Sequence, residues 1–319
     1  MDEKSARLVE VSRAYYMENR TQAEIAASLG ITRSQVSRDL KQARRQGIVE
    51  ITINIPGQEL FQLERALQAR FPRLVRAIVA PRFTTDEESS RMIVGRYAAN
   101  YLMEVVQPGQ KIVIGCGRTL RCLVNSLQRT DLPGARVIQA MGNLGHEAHS
   151  IDYNEICTTA ARAFGAQAFY LSAPAILGAR SGLARDLIHA NPTIHAVLEQ
   201  ARTAHIYVVG IGSLESDLPY VRVGMIEPGE LDEISSRAVG DICGRFFDSS
   251  GIEQPTPFSQ RIIGIEMADL RQAELSIGVA TGQDKVLPLL GALNGGWINV
   301  VVTDEDTARQ VLAKNECLQ

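Results

Sequence analysis

No apolar run in this chain is long enough to cross a bilayer. The longest, such as IYVVGIG at 206–212, fall far short of the roughly 20 residues a spanning helix needs. The amino-terminal stretch is charged and has no apolar core of the kind a secretory leader carries, so the expected compartment is the cytoplasm. Five cysteines (Cys116, Cys122, Cys157, Cys243 and Cys317) are scattered without a Cys-x-x-Cys pair. That spacing argues for reduced thiols and against a disulfide framework or a zinc ribbon. His146, Glu147 and His149 miss the His-Glu-x-x-His metal motif by one position, and no metal or cofactor is expected. There is no Gly-x-Ser-x-Gly, no evident Ser/His/Asp arrangement, no internal repeat and no low-complexity tract.

What is present divides the chain. The net charge of −3 is carried unevenly, at +2 over residues 1–55 and −5 over 56–319. A basic excess confined to a short amino-terminal region suits a small nucleic-acid reader attached to a larger, mildly acidic globule with 45% apolar residues overall.

Residues 21–46, TQAEIAASLGITRSQVSRDLKQARRQ, spell two short helices and a tight turn. Thr21 and Glu24 have the spacing of a capping box, which satisfies free N–H groups at a helix start. Ile25, Ala26 and Leu29 share a face, and Gly30 supplies the permissive backbone of a turn. Thr32 and Gln35 repeat the capping signature, and Val36 and Leu40 point inward at i and i+4. Five basic residues and one acid, Asp39, lie between Arg33 and Arg45. This is the layout of a helix-turn-helix whose second helix enters the major groove of double-stranded DNA. Arg can grip guanine O6 and N7, and Gln adenine N6 and N7. The candidate contacts are Thr21 and Gln22 at the first helix start, then Thr32, Arg33, Ser34, Gln35, Ser37, Arg38 and Lys41.

A helix over 5–18 precedes this pair, and IVEITINI at 48–55 alternates as a closing strand, giving a winged-type helix-turn-helix domain over 1–55. Residues 56–72 read as a linker helix, with Leu60, Leu63, Leu67 and Phe71 on helical spacing. It either docks on the large domain or dimerises as a coil. From 73 to 319, apolar runs (LVRAIVA, KIVIG, RVIQAMG, AFYLSAP, HIYVVGIG, RIIGIE, SIGVAT, INVVVT) alternate with helical stretches at 86–106, 118–128, 153–164, 193–204, 230–247, 284–294 and 304–314. That pattern predicts an α/β domain around a mostly parallel, buried sheet.

Glycine turns mark its candidate site. KIVIGCGRTL is a strand, a turn through Gly115 and Gly117, and a helix start at Arg118 and Thr119: an anion loop or a plain strand–helix turn. It lacks the third glycine of a dinucleotide fingerprint and the Lys-Ser/Thr of a P-loop. Gly210, Gly212 and Ser213 end another strand, where α/β sheets collect ligands. Lys285, in a first helical turn, opposes the helix dipole; a bound anion would account for it, as would a solvated surface. Asp241, expected near a helix start, could accept hydrogen bonds from a polyol or act as a cap.

Together these segments resemble the SorC family of bacterial sugar-responsive transcription regulators: the paired Tyr15-Tyr16, the helix-turn-helix, IGCGRTL, YLSAPA, VVGIGS, AVGDICGRFFD, the Gly282-to-Lys285 turn and GALNGGWINVVVTDEDTA. The resemblance implies an effector domain similar in fold to glucosamine-phosphate deaminase and ribose-phosphate isomerase. It also implies a sugar or phosphosugar effector, assembly as a dimer or tetramer, and repression of a carbohydrate operon. By the same resemblance the phosphate loop is Gly117, Arg118 and Thr119, the sugar is reached by Asp152 and Asn154, and Arg222, Asp241 and Lys285 complete the pocket. Met141 stands where several relatives carry Arg or Lys, which weakens the case for a second anionic group. The rival readings are a phosphosugar isomerase or deaminase with Asp241 as general base, and a large domain that only multimerises.

Overall fold

The computed structural model describes residues 3–50, 58–144, 152–178, 183–214, 219–222 and 224–317. The chain forms two compact units, Met1–Pro56 and Gly57–Gln319.

In the first unit, helices α1 (Glu3–Tyr16), α2 (Gln22–Leu29) and α3 (Arg33–Arg45) pack Val11, Ala14, Ile25, Ala26, Val36 and Leu40 into one core. Thr21 and Glu24 make the reciprocal capping box at the start of α2. Gly30 ends α2 at φ 64°, and a side chain there would meet nothing within 4 Å. The glycine is therefore required by its left-handed backbone and not by crowding. The second capping signature is only half formed. Thr32 accepts the Gln35 N–H, but the Gln35 amide turns to Asp39 instead of back to the cap. Residues 48–50 are not in a strand, and the rest of the expected closing strand lies outside the described residues.

The second unit begins with α4 (Gln58–Arg70). Its Leu63 and Leu67 enter the core of this unit together with Phe71 and Leu74, and Glu64 Oε1 accepts the Val79 N–H at 3.0 Å. The strands are β1 (Arg76–Ala80), β2 (Lys111–Ile114), β3 (Arg136–Gln139), β4 (Gln167–Phe169), β5 (Ile206–Gly210), β6 (Gly212–Ser213), β7 (Gly240–Ile242), β8 (Arg245–Phe247), β9 (Leu275–Val279) and β10 (Val300–Asp304). Seven form one sheet in the order β1-β10-β9-β5-β2-β3-β4, and every pairing is parallel.

Strand periodicity explains why apolar runs are continuous here. Ile206 and Val208 face one layer while Tyr207 and Val209 face the other, so both faces are buried. One layer is built from α5 (Glu87–Val105), α6 (Arg118–Ser126) and α7 (Tyr153–Phe164). The other takes α4 and the helices Leu183–Ala190, Pro192–Arg202, Val286–Asn294 and Glu305–Cys317.

From β2 the chain steps outward through β3 to β4, then returns to β5 on the other side of β2 and steps out through β9 to β10. The direction reverses between β2 and β5. Such a switch point opens a crevice at the carboxyl ends of the strands.

Two expected elements are different. The helix expected over 230–247 stops at Ser235, and β7 and β8 form a hairpin instead. Apolar residues at 239, 242, 243, 246 and 247 do follow helical spacing. The two-residue turn at Cys243 (φ 50°) and Gly244 (φ 77°) wins, because positive φ at both positions reverses an antiparallel pair. RIIGIE is also not a strand: Ile262 and Gly264 make only isolated bridges to Ile176 and Met141. Met141 is buried in a third apolar cluster with Tyr220, Ile226, Phe246 and Phe258.

Candidate functional sites: a DNA-reading helix and a switch-point pocket

On α3, Val36, Asp39, Leu40 and Ala43 are buried, while Arg33, Ser34, Arg38, Lys41 and Arg45 are exposed. Ser34, Arg38, Lys41 and Arg45 follow one another at i, i+4, i+7 and i+11, a single stripe along the helix. Gln35 and Ser37 flank it half-buried, and Thr32 caps its start. At the start of α2, Thr21 is exposed and Gln22 half-buried. The bonds from Thr21, its backbone N–H first, hold the Glu24 carboxyl below the usual carboxylate range.

Arg44 leaves the stripe. Its guanidinium donates to the Tyr16 hydroxyl at 2.9 and 2.7 Å and lies over that ring. The one acid of the helix is turned inward: Asp39 is 1% exposed and bonded by Arg7 Nε at 3.0 Å and Gln35 Nε2 at 2.7 Å. Sequence spacing could have placed Asp39 beside Val36, Leu40 and Ala43, but not its partner 32 residues earlier.

In the second unit β2 and β5 are neighbours at the switch point, and Gly115 N–H, just past the end of β2, donates to Val208 O of β5 at 2.8 Å. Gly117 (φ 150°) opens α6 without a side-chain cap, so the first-turn N–H groups beside Arg118 and Thr119 have none from that position. Arg118 is exposed and Thr119 half-buried.

Asp241 lies in β7, not at a helix start, and is 4% exposed. Its Oδ2 accepts from Gly244 N–H at 2.8 Å and from the Tyr220 hydroxyl at 3.3 Å. Burial pushes its carboxyl above the ordinary range against the pull of Gly244, Lys285 and Tyr220. Gly212, paired with Asp241 across β6 and β7, leaves the room this carboxylate occupies: a Cβ there would lie 1.8 Å from Oδ1.

Lys285 sits in a 3-10 turn, Gln283–Lys285, immediately before the helix Val286–Asn294. It donates to Ser213 Oγ at 2.8 Å and pairs with Asp284 Oδ2 at 2.9 Å. Ser213 in turn donates to Asp284 at 2.8 Å. Burial opposes ionisation of Asp284, yet Lys285 holds its carboxyl below the usual range. The anion that offsets Lys285 in the free protein is thus its own neighbour.

Around Asp241 stand Tyr153 and Cys243, with Cys116 beside them. Burial pushes the Cys116 thiol and the Tyr153 phenol, which share a hydrogen bond, well above their ordinary values, and the Cys243 thiol up to about 12. Neither thiol is an anion near neutral pH, so neither is a ready nucleophile.

Asp152 and Asn154 flank Tyr153 at the start of α7. Asp152 is exposed and caps α7, accepting the N–H groups of Asn154 and Glu155. Asn154 Oδ1 accepts from Asn143, which accepts from Gln139 at the end of β3. The side chain of Arg222 and all of His146, Glu147 and His149 lie outside the described residues. Among the described residues no group of three metal-ligating side chains occurs, and no helix is long and apolar enough to cross a membrane.

Tyr220, Tyr153, Asp284 and Cys243 were not legible as site residues, whereas Ser213 was marked by its place at the end of β5. They converge from loops far apart in sequence, and the one available signal was position just beyond a strand's carboxyl end. A separate groove of about 630 Å³ between α5, α6 and α7 is lined by Met92, Arg96, Arg121, Cys122 and Asn125, among others, and holds none of the expected site residues.

Comparison with known proteins agrees with both units. The Sugar-bind family of sugar-binding domains matches residues 56–313, and sigma-70 region 4 matches residues 5–46. The chain is 34% identical to the sorbitol operon regulator of Klebsiella pneumoniae, over 96% of this chain and 97% of that protein. It is 31% identical to the deoxyribonucleoside regulator of Bacillus subtilis (strain 168), over 97% of this chain and 98% of that one. The crystal structure of the full-length sorbitol operon regulator from Klebsiella pneumoniae superposes with a TM-score of 0.78 at 32% identity, covering 98% of this chain and 99% of that chain.

Proposed function

The chain belongs to the SorC family of sugar-binding transcriptional regulators, and from that premise we propose that it represses a carbohydrate-utilisation operon until a sugar or phosphosugar occupies the switch-point pocket. It is a DNA-binding regulator with a helix-turn-helix and a sugar-binding domain. The observation that carries the effector reading is the buried Asp241 on β7, paired with β6 just beyond the end of β5 and near enough to Lys285 to feel its charge. A buried carboxylate that accepts two hydrogen bonds suits a polyol's hydroxyls. First-turn N–H groups at Gly117, Arg118 and Thr119, together with Lys285, suit a phosphate if the ligand carries one. Gly115 and Gly212 keep the two loops close, Asp152, Asn154 and Arg222 border the ligand, and Thr21, Gln22, Thr32, Arg33, Ser34, Gln35, Ser37, Arg38 and Lys41 contact the operator.

Palindromic half-sites read by two modules require a dimer or tetramer, and the protein acts in the cytoplasm without catalysing a reaction. The ligand must bind two arrangements of the oligomer with different affinity, since equal affinity shifts nothing.

The test is fluorescence anisotropy of labelled DNA from the gene's own upstream region, at one stated salt concentration, titrated with sugars and phosphosugars. Release by one compound supports a repressor and names its inducer. Tightening by the compound makes it a co-repressor or the protein an activator. Absence of DNA binding sinks the reading. Turnover of a phosphosugar abolished by Asp241→Asn would replace it with an enzyme.

A further inference from the structure

Asp39 is an acid in the middle of the helix that reads DNA, where a negative charge would repel phosphates. Its burial and its two partners give it another role. The carboxylate is 1% exposed and accepts Arg7 Nε on Oδ2 at 3.0 Å and Gln35 Nε2 on Oδ1 at 2.7 Å. The Arg7 guanidinium offsets its charge from α1. The Gln35 contact spans one turn of α3 and reaches a side chain near the amino-terminal end of that helix, the part of a recognition helix that meets base edges.

Chemistry then restricts Gln35. A side-chain amide has two N–H donors and one carbonyl acceptor, and a carboxylate can only accept. The nitrogen must therefore be the end that faces Asp39, and the amide cannot flip without setting its carbonyl against the carboxylate. One N–H is consumed by Asp39. What remains for DNA is one donor and one acceptor.

Adenine offers the complement in the major groove, an N6 donor beside an N7 acceptor, whereas guanine offers two acceptors, N7 and O6. An untethered amide could turn both N–H groups toward guanine; Gln35 bonded to Asp39 cannot, and its carbonyl would face O6. We propose that Asp39 is a positioning residue for operator recognition: by occupying one N–H of Gln35 it makes that residue select adenine over guanine at a single base pair. The proposal rests on the DNA-binding reading and deepens it.

The experiment uses the full chain. Operator sequences are selected from random duplex DNA with the unmodified protein, and each position is then exchanged A·T for G·C against the variants. Failure of the unmodified protein to enrich any sequence would count against DNA recognition itself; enrichment isolates the role of Asp39. Gln35→Ala identifies the base pair that Gln35 reads, and at that position the unmodified protein should prefer adenine by about tenfold or more.

Asp39→Ala should bring that preference close to unity while preferences at other positions and the salt dependence stay as they were. Asp39→Asn, whose amide oxygen can still accept from Gln35, should restore much of it. Arg7→Ala should leave it in place, because Arg7 touches the other carboxylate oxygen. If Asp39→Ala does not fold, Arg7→Met/Asp39→Leu replaces the ion pair with apolar packing and carries the same expectation. An unchanged adenine preference without the Asp39 carboxylate, or a uniform loss at all positions, would overturn the proposal and leave Asp39 as a staple between α1 and α3.

Discussion

Gly212→Ala should damage the pocket through a group it does not belong to. A methyl group at position 212 would sit 1.8 Å from Asp241 Oδ1 and 2.9 Å from its Cγ. Ordinary C···O contact begins at about 3.3 Å, so the carboxylate must retreat by roughly 1.5 Å. It cannot do so and keep the Gly244 N–H at 2.8 Å and the Tyr220 hydroxyl at 3.3 Å. Each hydrogen bond to a charged group contributes about 1.5–3 kcal/mol, so loss of both sets the expected cost at about 3–6 kcal/mol. For a unit of this size, at about 2–4 °C per kcal/mol, that lowers Tm by roughly 6–24 °C. The assay is thermal unfolding of Gly212→Ala, Asp241→Ala and the double variant at pH 7. With the carboxylate gone the methyl group has room, so Gly212→Ala on the Asp241→Ala background should change stability by less than about 1 kcal/mol, a coupling typical of residues in contact. Equal losses on both backgrounds would refute the steric reasoning.

Other consequences can be measured as directly. Because burial raises the Asp241 carboxyl above its ordinary value, there is an interval of pH just above that value in which the folded protein keeps a proton there that the unfolded chain has released. That stabilising contribution is complete below the unfolded value and lost as pH rises through the folded one. Asp241→Asn should therefore gain stability relative to the unmodified protein as pH increases from 4 upward, read as the difference in Tm. Arg33→Ala or Arg38→Ala should each weaken operator binding by about 1–3 kcal/mol if the side chain reads a base. Should it contact only phosphate, the loss will be uniform across sequences, with the salt slope smaller by about 0.9. Leu67, 1% exposed where α4 enters the core, should cost about 2–5 kcal/mol on truncation to Ala, measured by denaturant unfolding.

The helix-turn-helix was readable because its determinants are local. Thr21, Glu24 and Gly30 act within a few residues of themselves, and the spacing of Ile25, Val36 and Leu40 is a property of the helix period. The parallel sheet was readable for a similar reason: a strand buried on both faces must be apolar throughout, and Ile206–Val209 is. The segment around Asp241 misled because short buried hairpins and helices can carry the same apolar spacing, and positive φ at Cys243 and Gly244 decided between them.

Sequence by itself determined the helix-turn-helix, the α/β class with its mostly parallel sheet, the outward basic stripe of α3 and the glycine turns that end β2 and β5. Only the tertiary structure decided which side chains those turns gather. The pairing of Asp241 with Tyr220 and Gly212, of Lys285 with Ser213, and of Asp39 with Arg7 joins residues between 21 and 72 positions apart. Such contacts depend on strand order and helix packing, and no local pattern encodes them. Burial has the same origin: a carboxylate's proton affinity and a glutamine's free donors follow from what the fold places beside them.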